Sequence, residues 1–258
     1  NKVMTILLTL EAIDEGRASV EDRVTISPRA ASMGGSQAFL DAGESYKLGE
    51  LLKTVIVASA NDSAVALAEY LAGSEETFVK LMNARAGELG LANTHYVNCT
   101  GLPAQDHYTT ARDVAKLSAR LDLHPLYYKY STIWMDEIRH RGGRVTSLTN
   151  TNRLIRFYPG CDGYKTGSTN EARYCVSATA KKDGMRLIAV VLGTPAGQTR
   201  FDEARAMLEY GFANVQLVTP IAQGQAMDMT VPVRLGGRDA VSVVSGGTCS
   251  LLEKRGEK

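Results

Sequence analysis

The sequence predicts an α+β fold in which helices come first, an antiparallel sheet follows, and a short β segment ends the chain. Three observations support this order. Apolar residues recur at helical spacing over residues 2–15 and again between about residues 47 and 121. After about residue 143 the spacing changes to the alternation that is typical of strands. From about residue 214 only short β-like runs remain, and pairs of glycines separate them.

The helical part begins at the first residues of the chain. Gly16 ends the first helix, whose apolar face is formed by Val3, Ile6, Leu7, Leu10 and Ile13. The segment RVTIS predicts a short strand, and the segment 32–45 predicts a loop. Ser74 and Thr110 are typical helix caps, and Asp113 completes a capping box with Thr110. The further helices are therefore expected over about 47–58, about 62–71, 74–90 and 110–121.

The sheet is predicted from about residue 144 onward. RVTSLTNTNRLI is strand-like, and RYCVSATAKKDGMRLIAVVLG indicates a hairpin that turns at Asp183–Gly184. A last helix is expected over about 197–212. We therefore predict one domain over residues 1–213 and a partial all-β domain over residues 214–258, which is too short to close a sheet by itself.

Composition and charge exclude several classes of protein. The chain is 44% hydrophobic and 22% charged, with a formal net charge of +1, so no basic field indicates nucleic acid as a partner. No run approaches 18 apolar residues, so no membrane span is predicted. The four cysteines have no zinc-type spacing. His95 and Cys99 lie in a strand-and-turn segment, so we predict no metal and no other cofactor.

Two short motifs are candidates for chemistry. Lys165–Thr166–Gly167 precedes the hairpin, where an ammonium, a hydroxyl and a glycine would form a strand edge that binds carboxylate or phosphate. The alternative is an exposed lysine in a turn. Ser59-x-Asn61 lies between two apolar helices, where polar side chains can project into a cleft. Here the alternative is simple helix capping.

Lys2 is the third candidate, because a lysine at the head of a largely buried helix is costly unless it is paired or neutral. The set S-x-x-K, S-D-N and K-T-G belongs to serine enzymes that penicillin acylates. In that set the serine and the lysine lie three residues apart on one helical face. If Lys2 is that lysine, the nucleophilic serine is expected two residues before Asn1.

With these motifs in this order, the sequence resembles the low-molecular-weight penicillin-binding proteins, the serine-type D-alanyl-D-alanine carboxypeptidases, particularly those of Gram-positive and sporulating bacteria. The resemblance extends over nearly the whole chain. It rests on KVMTILL, GESYKLGELLKTVIVASANDSAVALAEYL, NCTGLPAQDHYTTARDVAKL, TNRLIRFYPGCDGYKTGSTNEARYCVSATAKKDGMRLIAVVLG and EARAMLEYGF. It implies the penicilloyl-serine transferase fold, in which helices pack on an antiparallel sheet, followed by the start of a second, all-β domain.

The resemblance also implies a substrate and a location. A peptidoglycan stem peptide that ends in D-Ala-D-Ala would lose its terminal residue through an acyl-serine intermediate, and β-lactam antibiotics would acylate the same serine. The reaction would take place in the cell envelope, outside the cytoplasm. Members of the family are often anchored to the membrane by a C-terminal helix, which this chain does not contain.

The catalytic roles follow from the resemblance. Lys2 would be the general base, with its pKa lowered by burial and by the neighbouring cation of Lys165. Ser59 would relay a proton to the leaving amine. The amide of Asn61 would hold the substrate backbone and orient Lys2. His107 and Tyr108 are interpreted as structural.

The substrate-binding roles fall on the strand that begins with the K-T-G motif. Lys165 and Thr166 would bind the terminal carboxylate, and Gly167 would permit its close approach. The N–H of Ser168 would form half of the oxyanion hole. Arg173 departs from the family pattern, which commonly has a small residue, usually glycine, at this position. The resemblance therefore predicts the chemistry but not the shape of the cleft on that side.

Three alternatives remain open from the sequence. A class A β-lactamase shares the motifs but needs a glutamate between S-x-N and K-T-G, and that interval contains no E-x-x-L-N pattern. A D,D-endopeptidase on the same scaffold needs only a different cleft shape. A non-catalytic cell-wall protein would result if the nucleophile were truly absent.

Overall fold

A computed structural model describes residues 1–256 and confirms the α+β class with antiparallel sheets. Within these residues, the helices are α1 Lys2–Asp14, α2 Pro28–Ala31, α3 Leu48–Val57, α4 Asn61–Ala72, α5 Glu75–Glu88, α6 Ala111–Leu121, α7 Pro125–Ser131, α8 Leu154–Phe157 and α9 Thr199–Asn214. The strands are β1 Arg23–Thr25, β2 Ser45–Lys47, β3 Met135–Arg139, β4 Val145–Thr149, β5 Cys161–Thr169, β6 Arg173–Lys182, β7 Met185–Thr194, β8 Val215–Ile221, β9 Ala226–Pro232, β10 Ala240–Val244 and β11 Cys249–Lys254.

The strands β5, β6 and β7 form a three-stranded sheet in that order. In the antiparallel β5–β6 pair, Lys165 lies opposite Ser177 and Gly167 lies opposite Cys175. The predicted turn between β6 and β7 is confirmed: both Asp183 and Gly184 have positive φ, at 49° and 77°. Such a two-residue turn matches the twist of the strands it joins.

The predicted strand over residues 144–155 is wrong in its second half. Strand β4 ends at Thr149, and α8 begins at Leu154. Asparagine side chains cause the change, because the Oδ1 atom of Asn150 accepts from the N–H of Asn152 and the Oδ1 atom of Asn152 accepts from the N–H of Leu154. These local bonds replace the strand ladder. The structure also contains α7 and β3, which the spacing of apolar residues did not predict.

Helix α1 lies at the centre of the core, in contact with α3, α4, α5, α6 and β5. It is apolar on nearly all sides, as expected for a helix surrounded by other elements. Met4, Ile6, Leu7 and Leu10 are fully buried. This packing fixes the first turn of α1, and with it Lys2, next to strand β5 of the three-stranded sheet.

The chain divides into two compact units, one of residues 1–181 and 187–208 and one of residues 182–186 and 209–258. The second unit contains two antiparallel pairs, β8 with β11 and β9 with β10. The predicted domain boundary at residue 214 stays a prediction. No helix in the described residues has the length and apolar character that a bilayer crossing would need.

Candidate active site

A cavity of about 460 Å³ lies in the first unit, where the start of α1, the corner between α3 and α4, and strand β5 meet. Its lining comes from segments that are far apart in the sequence. It includes every residue predicted for the site, namely Lys2, Ser59, Asn61, Lys165, Thr166, Gly167 and Ser168.

Lys2 is partly buried in the first turn of α1, and its Nζ donates to the carbonyl oxygen of Thr100 at 2.8 Å. Burial lowers its pKa to about 8. Electrostatic interactions with Cys99 and Asp62 oppose this shift, so the pKa does not fall further. A substantial fraction of Lys2 is therefore neutral slightly above neutral pH, as a general base requires.

Ser59 lies at the corner between α3 and α4 and has a φ of 62°. A serine in this left-handed conformation is strained by about 1 kcal/mol or more. The corner is held by backbone bonds from Ala58 and Ala60 to the carbonyl oxygen of Thr54. Its hydroxyl makes no hydrogen bond to any residue within 1–256, so it is available to a ligand.

Asn61 and Asp62, the first residues of α4, hold a loop against the site. The Asn61 side-chain nitrogen donates to the carbonyl oxygen of Gly34 at 2.7 Å. The buried Asp62 carboxylate accepts from the N–H groups of Ala38, at 3.0 Å, and Leu40, at 3.2 Å. Among the described residues, no hydrogen bond joins Asn61 to Lys2, so the predicted orienting contact is not present in this structure.

Strand β5 contributes the second lysine. Lys165 is only 6% exposed, and its Nζ lies 3.4 Å from the carbonyl oxygen of Thr166. Burial, followed by the charges of Lys2 and Arg200, lowers its pKa well below the usual value. The Thr166 hydroxyl donates to the Thr151 hydroxyl at 2.6 Å. The charged form of Lys165 is thus disfavoured in this cavity, and a bound anion would stabilise it.

Gly167 and Ser168 continue the strand along the rim of the cavity, and both are exposed. A Cβ atom on Gly167 would meet no atom of the protein within 4 Å. The glycine is therefore not required by packing inside the protein, and the open space beside it can receive a ligand.

Arg200, in the first turn of α9, also lines the cavity, and the sequence reasoning missed it. Its Nη1 donates to the carbonyl oxygens of Gly167, at 3.0 Å, and Cys175, at 3.3 Å. Its guanidinium lies 4.7 Å from the ring centre of Phe201, and its buried Nε has no partner in the described residues. No motif surrounds this arginine, so only the fold could reveal it.

Arg173 stands at the turn between β5 and β6, paired with Thr169. Its φ is 53°, in the left-handed region where glycine is unstrained. The neighbouring residues Thr169 and Ala172 line the cavity, whereas Arg173 itself is exposed. A glycine at this position would adopt the same conformation without strain.

His107 does not line the cavity. Its Nδ1 accepts from the N–H of Val97 at 3.3 Å, and its Nε2 contacts the side chain of Asn1. Burial lowers its pKa to about 4, so it is neutral at pH 7. Within residues 1–256, no group of three or more histidine, cysteine or acidic side chains is arranged to hold a metal ion.

Comparisons with known proteins identify the family to which the chain is similar. The family model of the D-alanyl-D-alanine carboxypeptidases matches residues 1–196. The D-alanyl-D-alanine carboxypeptidase DacF of Bacillus subtilis is 43% identical, over 99% of this chain and 66% of the relative. DacC of Escherichia coli, another D-alanyl-D-alanine carboxypeptidase, is 36% identical, over 99% of this chain and 64% of the relative. The chain thus spans about two thirds of the length of these curated relatives.

Solved structures are similar as well. Penicillin binding protein 5 of Haemophilus influenzae superposes with a TM-score of 0.83 at 30% identity, over 99% of this chain and 74% of that one. A peptidoglycan synthesis regulatory factor of Streptococcus pneumoniae gives a TM-score of 0.85 at 29% identity, over 100% of this chain and 78% of that one.

Proposed function

Because the chain belongs to the D-alanyl-D-alanine carboxypeptidase family of serine peptidases, we propose that it removes the terminal D-alanine from peptidoglycan stem peptides through an acyl-serine intermediate. One observation carries this proposal. Three basic side chains, Lys2, Lys165 and Arg200, line one cavity together with the Ser59 hydroxyl. A site of this kind can hold a free carboxylate while an amine base acts beside it.

Carboxylate binding falls to the β5 side of the cavity. Lys165 would supply the charge, and the Thr166 hydroxyl would donate a hydrogen bond after it turns away from Thr151. Arg200 adds positive charge behind the strand, where it is held by the carbonyl of Gly167. Recognition of a terminal carboxylate explains why a carboxypeptidase would require a free C-terminus.

The substrate itself would prepare the base. Burial and the charges of Lys2 and Arg200 disfavour a charged Lys165. A bound carboxylate raises the pKa of Lys165, so the proton moves to that side of the cavity. Repulsion from the charged Lys165 then favours a neutral Lys2, which becomes competent to accept a proton.

The nucleophile in this proposal is a serine two residues before Asn1. A residue three positions before Lys2 would lie on the same helical face, within reach of its amine. Lys2 would take the hydroxyl proton as the oxygen attacks the carbonyl of the penultimate D-alanine. The peptide C–N bond then breaks, and Ser59 would pass the proton to the leaving amine. Water hydrolyses the ester in the second half of the reaction.

The remaining groups would position the substrate. The N–H of the nucleophile and the N–H of Ser168 would form the oxyanion hole. Asn61 would hold the substrate backbone once its side chain exchanges the carbonyl of Gly34 for the peptide. β-Lactams present a similar carbonyl beside a carboxylate and would acylate the same serine. We place the reaction outside the cytoplasm, where peptidoglycan is found.

Intact mass measured before and after brief exposure to benzylpenicillin tests the proposal. We expect a gain of one penicilloyl group, and we expect tryptic mapping to place it on the peptide that ends at Lys2. Release of D-alanine from a peptide ending in D-Ala-D-Ala should accompany it. An adduct on Ser59, or the absence of any adduct, would overturn the assignment of the nucleophile.

A further inference from the structure

A second cavity, of about 210 Å³, lies in the first unit between α8 and the start of α9. One water molecule needs only on the order of 10 Å³ of such space, so the cavity can hold a small organic ion. Its lining combines two guanidiniums, a carboxylate, an amide and two aromatic rings. These groups belong to Arg153, Arg205, Asp202, Gln198, Phe157 and Phe201.

The charges in this cavity do not neutralise one another. Arg153 is exposed, and its guanidinium makes no hydrogen bond or ion pair within residues 1–256. Arg205 donates to the carbonyl oxygen of Phe157 at 2.7 Å and forms no ion pair in the same part of the chain. Asp202 accepts one hydrogen bond, from the side-chain amide of Gln198 at 2.9 Å. Opposite charges therefore face one small space without touching each other.

An ion that carries both charges fits this arrangement. A carboxylate would pair with the guanidiniums of Arg153 and Arg205, and an ammonium would pair with the free oxygen of Asp202. The exposed ring of Phe157 offers a surface to a small apolar group. We propose that the second cavity binds an amino-acid zwitterion, that is, a carboxylate and an ammonium on one carbon atom.

The second cavity lies close to the active-site cavity. The segments 151–157 and 198–205 contribute residues to both cavities. Thr151 and Arg200 line the first cavity, and Arg153 and Phe201 line the second. The charge of Arg153 acts on Arg200. Occupation of the second cavity would therefore be felt at the end of the active site that holds carboxylate.

Two sources of this chemistry are a free D-amino acid, such as the released product, and the amino-acid end of a diamino acid within a stem peptide. The binding property does not depend on the proposed reaction, and only the choice of these probes rests on it. Failure of the site is thus distinguishable from failure of the proposed function.

Titration with D-alanine, followed by NMR at the side-chain amide of Gln198, tests the site. We expect a saturable shift at this amide. D-Lactate lacks the ammonium and D-alaninamide lacks the carboxylate, so each should bind about tenfold more weakly, the loss of one charge-assisted contact. In a second titration, a stem peptide with a free diamino-acid end replaces D-alanine. Binding of this peptide without binding of D-alanine would identify the substrate as the source.

Variants separate the second cavity from the first. Arg153→Ala and Asp202→Asn should each weaken binding about tenfold, whereas Arg23→Ala, at another exposed arginine, should leave it unchanged. Lys165→Ala should also leave the Gln198 shift in place, because it acts on the active-site cavity. A shift that Lys165→Ala abolishes and Arg153→Ala preserves would overturn the proposal, as would no saturable shift with either D-alanine or the peptide.

Discussion

Two residues beside the active-site cavity have the same unusual backbone conformation but stand in different surroundings. Ser59 and Arg173 are both left-handed, with φ of 62° and 53°. Ser59 is partly buried between α3 and α4, and the hydrogen bonds of Thr54 and Asp62 fix its surroundings. Arg173 lies in an exposed turn. Strain at the first position places a hydroxyl in the cavity, whereas strain at the second places no side chain there.

The largest effect should follow from removal of that hydroxyl. Ser59→Ala keeps the Cβ atom and the strained backbone, so stability should change by less than about 1 kcal/mol. If Ser59 relays the proton, acylation by benzylpenicillin should slow by roughly 10²–10⁴-fold. Stopped-flow acylation and thermal unfolding measure the two effects. Ser36→Ala, at an exposed serine of the same cavity, is the control, and an equal loss there would contradict the role of Ser59.

The next effect concerns the surroundings of Ser59. Asp62→Asn replaces a buried carboxylate oxygen with an amide nitrogen that faces the N–H groups of Ala38 and Leu40. We expect the free energy of unfolding to fall by about 3 kcal/mol, because hydrogen bonds to a buried charge are lost. Urea unfolding measures this loss, provided that the slope of the unfolding free energy against urea concentration is unchanged.

The exposed loop residue Asp41 offers the matched control for this change. Its carboxylate pairs with Arg144, and both side chains are solvent-accessible. Asp41→Asn should therefore lower the free energy of unfolding by at most about 1 kcal/mol. Equal losses in the two variants would mean that burial of Asp62 is not the cause.

The third prediction concerns the free-energy cost of burying the charged amine of Lys2. The pKa of Lys2 is lowered from 10.5 to about 8 in the folded chain, so the folded state binds fewer protons than the unfolded state between these values. Stability therefore rises with pH across this window, and the full penalty applies below it. Lys2→Met should raise the free energy of unfolding at pH 7 by about 3 kcal/mol, the cost of charging the buried amine.

Urea unfolding at pH 7 and pH 10 checks this expectation, since the gain should shrink at the higher pH. Lys53→Met is the control, because Lys53 forms an ion pair with Asp136 at 2.7 Å and should give no gain. A gain that is equal at both pH values would show that hydrophobic burial, and not charge, is responsible.

The smallest effect should come from the exposed turn. Arg173→Gly relieves the left-handed strain and should stabilise the chain by about 1 kcal/mol. Arg173→Ala retains the Cβ atom and should give no such gain. Differential scanning calorimetry of both variants measures the difference. Equal melting temperatures for the glycine and alanine variants would show that the turn is not strained.

Sequence reasoning located the long helices and the hairpin because apolar periodicity and turn residues act locally. It also named seven residues that line the active-site cavity, because the resemblance to a family assigned roles to them. It missed α8, where two asparagine side chains override a strand-like pattern. The conformation of Ser59 and the position of Arg200 depend on packing between distant segments, so no local pattern could predict them.

Helix α1 has almost no surface in contact with solvent between Val3 and Ala12. Its amide protons can therefore meet deuterium only when the surrounding helices separate. Their hydrogen-exchange rates should report the opening of the whole first unit, while amides near Arg173 exchange through local motions. Any ligand that slows exchange in α1 must then stabilise the entire unit. Exchange at this helix would therefore detect a ligand in the active-site cavity even when the peptide bond of that ligand is not cleaved.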